Sequence, residues 1–260
     1  MVGRTLTPNM MRFLVYGYRY GLSMMLSGET DAGKTTLMSI ILSEAVPNNK
    51  KLITIENGTR EFNLVKRDPV TGKIINSVIH LVTRDSDDEK QEITQQMLLE
   101  WSMTANPDYL CMAEVKGSES YETLEASVTH PVIGTTHTKK SEKDIPKRLV
   151  DLAAIKGNLN DKTLYSMAID SFPILFHAEK MADEVRRVTG ISECQLKNGL
   201  PTFQPLWEYR TDYNEVVNGK TVVHGDFVKC GNISDDLQYQ LRQKGIPKNI
   251  LQSILEGEEP

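Results

Sequence analysis

The stretch LSGETDAGKTTLMS, residues 26–39, constrains this chain more than any other. Gly28 and Gly33 bracket four residues and are followed at once by Lys34 and Thr35. The apolar run LSMMLS (22–27) leads in, and a helical pattern beginning near Lys34 leads out. In that strand–loop–helix context, Gly-x4-Gly-Lys-Thr makes a phosphate-binding loop. The glycines let the backbone curl until consecutive N–H groups face one point, and the helix that follows adds the positive end of its dipole. The residues expected around a phosphate chain are Gly28, Glu29, Thr30, Asp31, Ala32, Gly33, Lys34, Thr35 and Thr36. Lys34 is expected on the β- and γ-phosphates, and the Thr35 hydroxyl on Mg2+.

Further apolar runs, KLITIE (51–56), DYLCMAE (108–114) and PVIGTTH (131–137), each end in polar or glycine residues and alternate with helical patterns. Such alternation predicts buried parallel strands joined by crossover helices, an α/β sheet. Thr7 and Pro8 read as the cap and first residue of a leading amphipathic helix. Residues 172–194 hold two β-rich runs around the polar KMADEVR and predict a hairpin. Asn218-Gly219, between the apolar runs of EVVNGKTVVHGDF, predicts another. Ser234 can cap a helix through about Lys244, stopped by Gly245, and Pro247 can open one more. The expected division is a main unit over 1–210 and a small hairpin-and-helix appendage over 211–260.

A chain of 260 residues can bury one full core with such an appendage. A net charge of -5 and a pI near 5.6 argue against a protein that coats nucleic acid. Cys111, Cys194 and Cys230 are scattered singly, offering neither a disulfide framework nor a CxxC knuckle, which fits a reducing cytoplasm. No apolar run approaches the roughly 20 residues needed to span a bilayer, and Arg4 and Arg12 interrupt the N-terminus. A soluble chain that reaches a membrane through partners is the expectation.

The loop is shared by kinases, GTPases, helicases and motors, so acidic residues elsewhere must discriminate. The run PDYLCMAEVKG ends its strand at Glu114, where a carboxylate can polarise the water that attacks a γ-phosphate. Ala113 precedes it, where many P-loop proteins carry a Mg2+-supporting aspartate. No NKxD-type guanine-reading motif follows, which disfavours a GTPase. Glu56 ends another strand, with Arg60 and Glu61 just beyond, and is expected to orient water or the metal shell. His137, at the end of GTTH, is expected on the same sheet edge, where an imidazole can contact a γ-phosphate and report its loss.

With these four elements in this order, the chain resembles the secretion ATPase superfamily, the motors of type II and type IV secretion and type IV pilus assembly. Within it, the likeness is greatest to the Tad/Flp branch. LSGETDAGKTTL matches the Walker A loop, LITIEN the acidic box, PDYLCMAEVKG Walker B, GTTHTKK the histidine box and RRVTGISEC a following strand motif. The resemblance runs from about Leu6 to Cys194. It implies a RecA-like P-loop NTPase with a mostly parallel central sheet, plus β-hairpins and a small C-terminal helical appendage.

It implies ATP with Mg2+ as ligands, Lys34, Glu56, Glu114 and His137 in catalysis, and Arg148 near a subunit interface. It further implies a hexameric ring when full length, inner-membrane platform partners, and a cytoplasmic position at the inner face of the membrane. The family's N-terminal domain, which precedes the motor domain, is expected to be absent here.

Asn57, Ala113 and Lys116 stand where the family usually has aspartate, glycine and arginine. LLEWSMTANPDY lacks the arginines that commonly precede the Pro-Asp of Walker B. An arginine finger can be worth roughly 10³ to 10⁵ in rate. Alternatives to a hydrolysing motor are a nucleotide-regulated scaffold with little turnover, favoured by those missing arginines, and a conjugative DNA-transfer motor, disfavoured by the acidic balance.

Overall fold

The computed structural model describes residues 4–88, 90–156 and 159–257. Local chemistry sets where its elements begin. Extended at its own backbone, Thr7 accepts the Met10 N–H on its hydroxyl at 3.2 Å and so opens α1 (Pro8–Arg19), with Pro8 in the first turn. Four buried residues make β1 (Met24–Ser27), and α2 (Lys34–Ala45) starts immediately after Gly33. The chain continues through β2 (Lys51–Glu56), β3 (Ser77–Val82), α3 (Gln95–Thr104), β4 (Tyr109–Met112), α4 (Ser120–Thr129) and β5 (Val132–Thr136). Next come α5 (Ile145–Ala153), α6 (Asp161–Ser171), β6 (Ile174–Lys180), β7 (Arg186–Lys197), β8 (Leu200–Val217), β9 (Lys220–Lys229), α7 (Asp235–Gln243) and α8 (Lys248–Glu256).

The strands form one sheet in the order β3-β2-β4-β5-β1-β6-β7-β8-β9. Pairing is parallel from β3 to β6 and antiparallel from β6 to β9. The α/β expectation is met, and β3 and β6 extend the parallel set beyond the four apolar runs. β3 is partly exposed along its length, as an edge strand is, so it lacks the continuous buried run that marks its neighbours. Both hairpins form, and the second turns at Asn218 (φ 52°) and Gly219 (φ 76°), the left-handed pair that a two-residue turn demands. α7 is capped by the Ser234 hydroxyl and followed by Gly245 at φ 85°.

Alternation along β1 sends side chains to two cores. Met24 and Leu26 join the face covered by α1, α2, α7 and α8, whereas Met25 joins the face covered by α3, α4, α5 and α6. Each fully buried Leu, Ile or Phe in these layers is worth about 1.5–3 kcal/mol of transfer free energy. That burial fixes the strands, and through them the loops at their ends. β1 lies between β5 and β6 while the chain leaves it for β2, beyond β5 and β4, so a crevice opens at the C-terminal edge beside β1. No described helix is long and apolar enough to cross a membrane.

Candidate functional site

Residues 28–33 leave β1 at that edge. Gly28 has φ 153°, and a Cβ there would stand 2.2 Å from the Ala178 carbonyl oxygen, so β6 presses directly on the loop. Gly33 takes φ 84° in the N-cap position of α2. It supplies no side-chain acceptor, leaving the first-turn N–H groups for an external anion. Beneath the loop, the Ser27 hydroxyl lies 2.8 Å from His177 Nδ1, and burial pushes that imidazole down to about 4, so it is neutral near pH 7.

An open cleft of about 570 Å³ lies over the loop, lined by Thr30 through Thr36 and by Glu61, Ala113, Glu114, Thr135, His137 and Arg186. Lys34 curls back so that its ammonium donates to the Gly28 and Glu29 carbonyls, each at 2.9 Å. Burial lowers its pKa, opposed by the charges of Glu114 and Glu61.

Glu114 lies two residues past β4 rather than at its last position, and its backbone is fastened on several sides. The Thr135 hydroxyl donates to the Ala113 carbonyl at 2.5 Å, Gln95 Nε2 to the Glu114 carbonyl at 2.9 Å and the Thr136 hydroxyl to the Val115 carbonyl at 2.9 Å. His137 follows β5, and its Nε2 is 2.6 Å from Glu114 Oε1, while its Nδ1 is 3.5 Å from Lys34 Nζ. Lys34, His137 and Glu114 thus form one chain of contacts across the ends of three strands.

Glu56 is placed differently. Fully buried, it receives the Thr54 hydroxyl (2.7 Å) and His80 Nδ1 (2.8 Å) on Oε1, and the Glu61 and Phe62 N–H groups on Oε2. Burial pushes its pKa up, but these hydrogen bonds outweigh it and hold the carboxyl below the ordinary range. It fastens the 57–62 loop instead of lining the cleft. That loop delivers Glu61, whose Oε2 accepts the Thr35 hydroxyl at 2.9 Å.

Arg148 sits on α5, outside the cleft lining, with its Nε buried and unpartnered among the described residues.

Sequence reasoning gave no role to Glu61 or Arg186. Glu61 was visible as the second acid of ENGTRE. Arg186 opens the RRVTGISEC strand motif, but nothing local placed it at the phosphate-binding loop, since it comes from a strand far along the chain.

The Thr35 hydroxyl and the Glu61 carboxylate that accepts its hydrogen bond are oxygen donors of the kind a hard divalent cation takes, so this pair fits Mg2+.

A second, mostly apolar cavity of about 360 Å³ adjoins the loop. It shares Ala32, Gly33, Thr36 and Arg186 with the cleft and adds Leu6, Met11, Leu37, Ile40 and Val185.

The sequence pattern of the type II/IV secretion system protein family matches residues 8–173. The type IV secretion system protein PtlH of Bordetella pertussis is 30% identical over 193 residues, covering 73% of this chain and 54% of that protein. A putative conjugal transfer protein of Mycobacterium tuberculosis is 26% identical over 189 residues, covering 72% of this chain and 50% of that one. Among solved structures, the VirB11 ATPase of the Brucella suis type IV secretion system superposes with a TM-score of 0.58 at 21% identity. It covers 70% of this chain and 51% of its own, and shares the fold. The chain spans about half the length of the curated relatives it matches first.

Proposed function

Because the chain belongs to the type II/IV secretion system protein family, we propose that it is an ATP-hydrolysing motor unit of a bacterial or archaeal secretion or pilus-assembly system. The observation that carries this reading is the Lys34–His137–Glu114 chain of contacts set against an intact phosphate-binding loop. A structural relative described as a type IV secretion ATPase agrees with it.

In this reading the triphosphate lies along residues 28–36 and the base enters the apolar cavity between Leu6 and Ile40. Lys34 leaves the two carbonyls for the β- and γ-phosphates. Glu114 takes a proton from the attacking water, and His137 holds that carboxylate and faces the γ-phosphate. Glu56 positions the 57–62 loop, hence Glu61. Mg2+, held through Thr35 with Glu61 in reach, would neutralise charge on the phosphate oxygens.

Ring assembly as a hexamer with sites between subunits, Arg148 near an interface, inner-membrane platform partners, a cytoplasmic position and the Tad/Flp branch all belong to the proposal. So does the division at 210/211, with the two parts sharing β8, which runs across it.

One observation favours the nucleotide-regulated scaffold instead. α3, which hydrogen-bonds the Glu114 carbonyl through Gln95, carries no arginine or lysine and exposes Met97 and Trp101. Mg2+-dependent ATP hydrolysis across a protein concentration series, with sizing alongside, separates the two. Turnover that rises with assembly supports the motor, and nucleotide binding without turnover in the assembled protein supports the scaffold.

A further inference from the structure

The mouth of the β6–β7 hairpin places two cations opposite one another, since Lys180 and Arg186 are direct cross-strand partners. Like charges in that position repel unless an anion lies between them. Here Asp31 of the phosphate-binding loop lies between the two, and Lys180 is also paired with Glu184 of its own hairpin. Arg186 Nε donates to the Asp31 carbonyl oxygen at 2.7 Å and its Nη2 to the carboxylate, while Lys180 Nζ stands 3.5 Å from the other carboxylate oxygen.

The next residue, Arg187, is fixed in place. It is buried, forks onto both oxygens of Asp183 at 2.7 Å each, and lies over the Tyr209 ring at 4.9 Å. Arg186 is half-exposed instead, and its side chain runs along the loop so closely that a Cβ on Gly33 would stand 2.9 Å from its Cδ. It is also one of four residues that line both the phosphate cleft and the apolar cavity. Any molecule with phosphates in one and a base in the other must pass it.

We propose that Arg186 is a nucleotide-contacting residue: the ribose–phosphate segment of a bound nucleoside di- or triphosphate takes the guanidinium from Asp31. The inference rests on reading residues 28–36 as a nucleotide site and names a residue outside that motif which grips the ligand. Three features make the exchange feasible. The Asp31–Arg186 pair is solvent-exposed, and such pairs are weak. A guanidinium–phosphate contact is charge-assisted and among the stronger hydrogen bonds. Asp31 keeps Lys180 when Arg186 leaves, so no carboxylate is stranded. Asp31 is then a competitor for the arginine as well as part of the loop, which fixes the sign of an otherwise ambiguous substitution.

The test is the calorimetric Kd for ADP and ATP with the full chain and four variants, Arg186→Ala, Arg186→Lys, Asp31→Asn and Lys34→Ala. Arg186→Ala is expected to weaken both nucleotides about tenfold to a hundredfold. Arg186→Lys should recover part of the loss, and Asp31→Asn, which removes the competing carboxylate, should tighten binding. If Arg186 merely braces the loop through Asp31, Asp31→Asn weakens binding as much as Arg186→Ala, and the proposal is overturned. Arg186→Ala binding like wild type, while Lys34→Ala does not bind, overturns it too and leaves the nucleotide site standing. Failure of the wild-type chain to bind either nucleotide removes both readings together.

Discussion

His137 Nε2 lies 2.6 Å from Glu114 Oε1, joining the residue after β5 to the carboxylate beyond β4. A proton on Nε2 leaves Nδ1 to accept from Lys34, 3.5 Å away. The imidazole therefore orients the carboxylate and couples it to the lysine proposed to meet the phosphates. His137→Ala is expected to lower kcat by about 10²-fold with a smaller change in KM, because it disturbs the base without removing the loop. Steady-state kinetics on the assembled protein checks this. An unchanged kcat would restrict His137 to packing.

Glu56 makes a different prediction, since it is fully buried and accepts four hydrogen bonds. Glu56→Ala takes the acceptor from two backbone N–H groups and leaves His80 Nδ1 only the Thr54 hydroxyl, and should cost roughly 2–4 kcal/mol of stability. Urea unfolding measures it. A loss of activity at unaltered stability would instead mean that the carboxylate acts on the substrate.

Those two carboxylates show how far sequence carries. Glu114, His137 and the loop were legible because each adjoins a strand whose apolar run is plain, and parallel strands deliver their C-terminal ends to one edge. Glu56 sits in the same kind of position, yet its oxygens turn inward to hold the 57–62 loop, which no strand-end rule foretells. Glu61 and Arg186 act across 26 and 155 residues of separation, on Thr35 and Asp31 respectively. Contacts of that span are made by the sheet, and no local spacing encodes them. The same holds for His177, whose burial beneath Ser27 depends on β6 lying beside β1.

His177 should leave a signature in the pH dependence of stability. Its folded pKa is lowered to about 4 from an ordinary value near 6.5. The unfolded chain therefore binds the proton more readily between those values. The contribution is fully present above pH 6.5, is lost progressively as pH falls towards 4, and amounts to about 3 kcal/mol over that window. Urea midpoints from pH 7 to pH 4 should fall less steeply in His177→Gln than in wild type. Parallel slopes would show that the imidazole takes up its proton as readily in the folded protein as in the unfolded chain.

Gly28→Ala probes the loop's packing on β6. The new methyl would meet the Ala178 carbonyl in a backbone conformation, φ 153°, that side chains rarely adopt. A loss of about 1–3 kcal/mol is expected, with weakened nucleotide binding because the loop must shift. Calorimetry and urea unfolding together check it, and wild-type values in both would mean that the loop yields freely.

The most direct test of hydrolysis by this cleft is single-turnover release of the γ-phosphate, with bound nucleotide followed in parallel, in wild type and Glu114→Gln. The geometry predicts that Glu114→Gln holds ATP as tightly as wild type and releases phosphate at least about 10²-fold more slowly. Equal release from both proteins would contradict the assignment of Glu114 as the base.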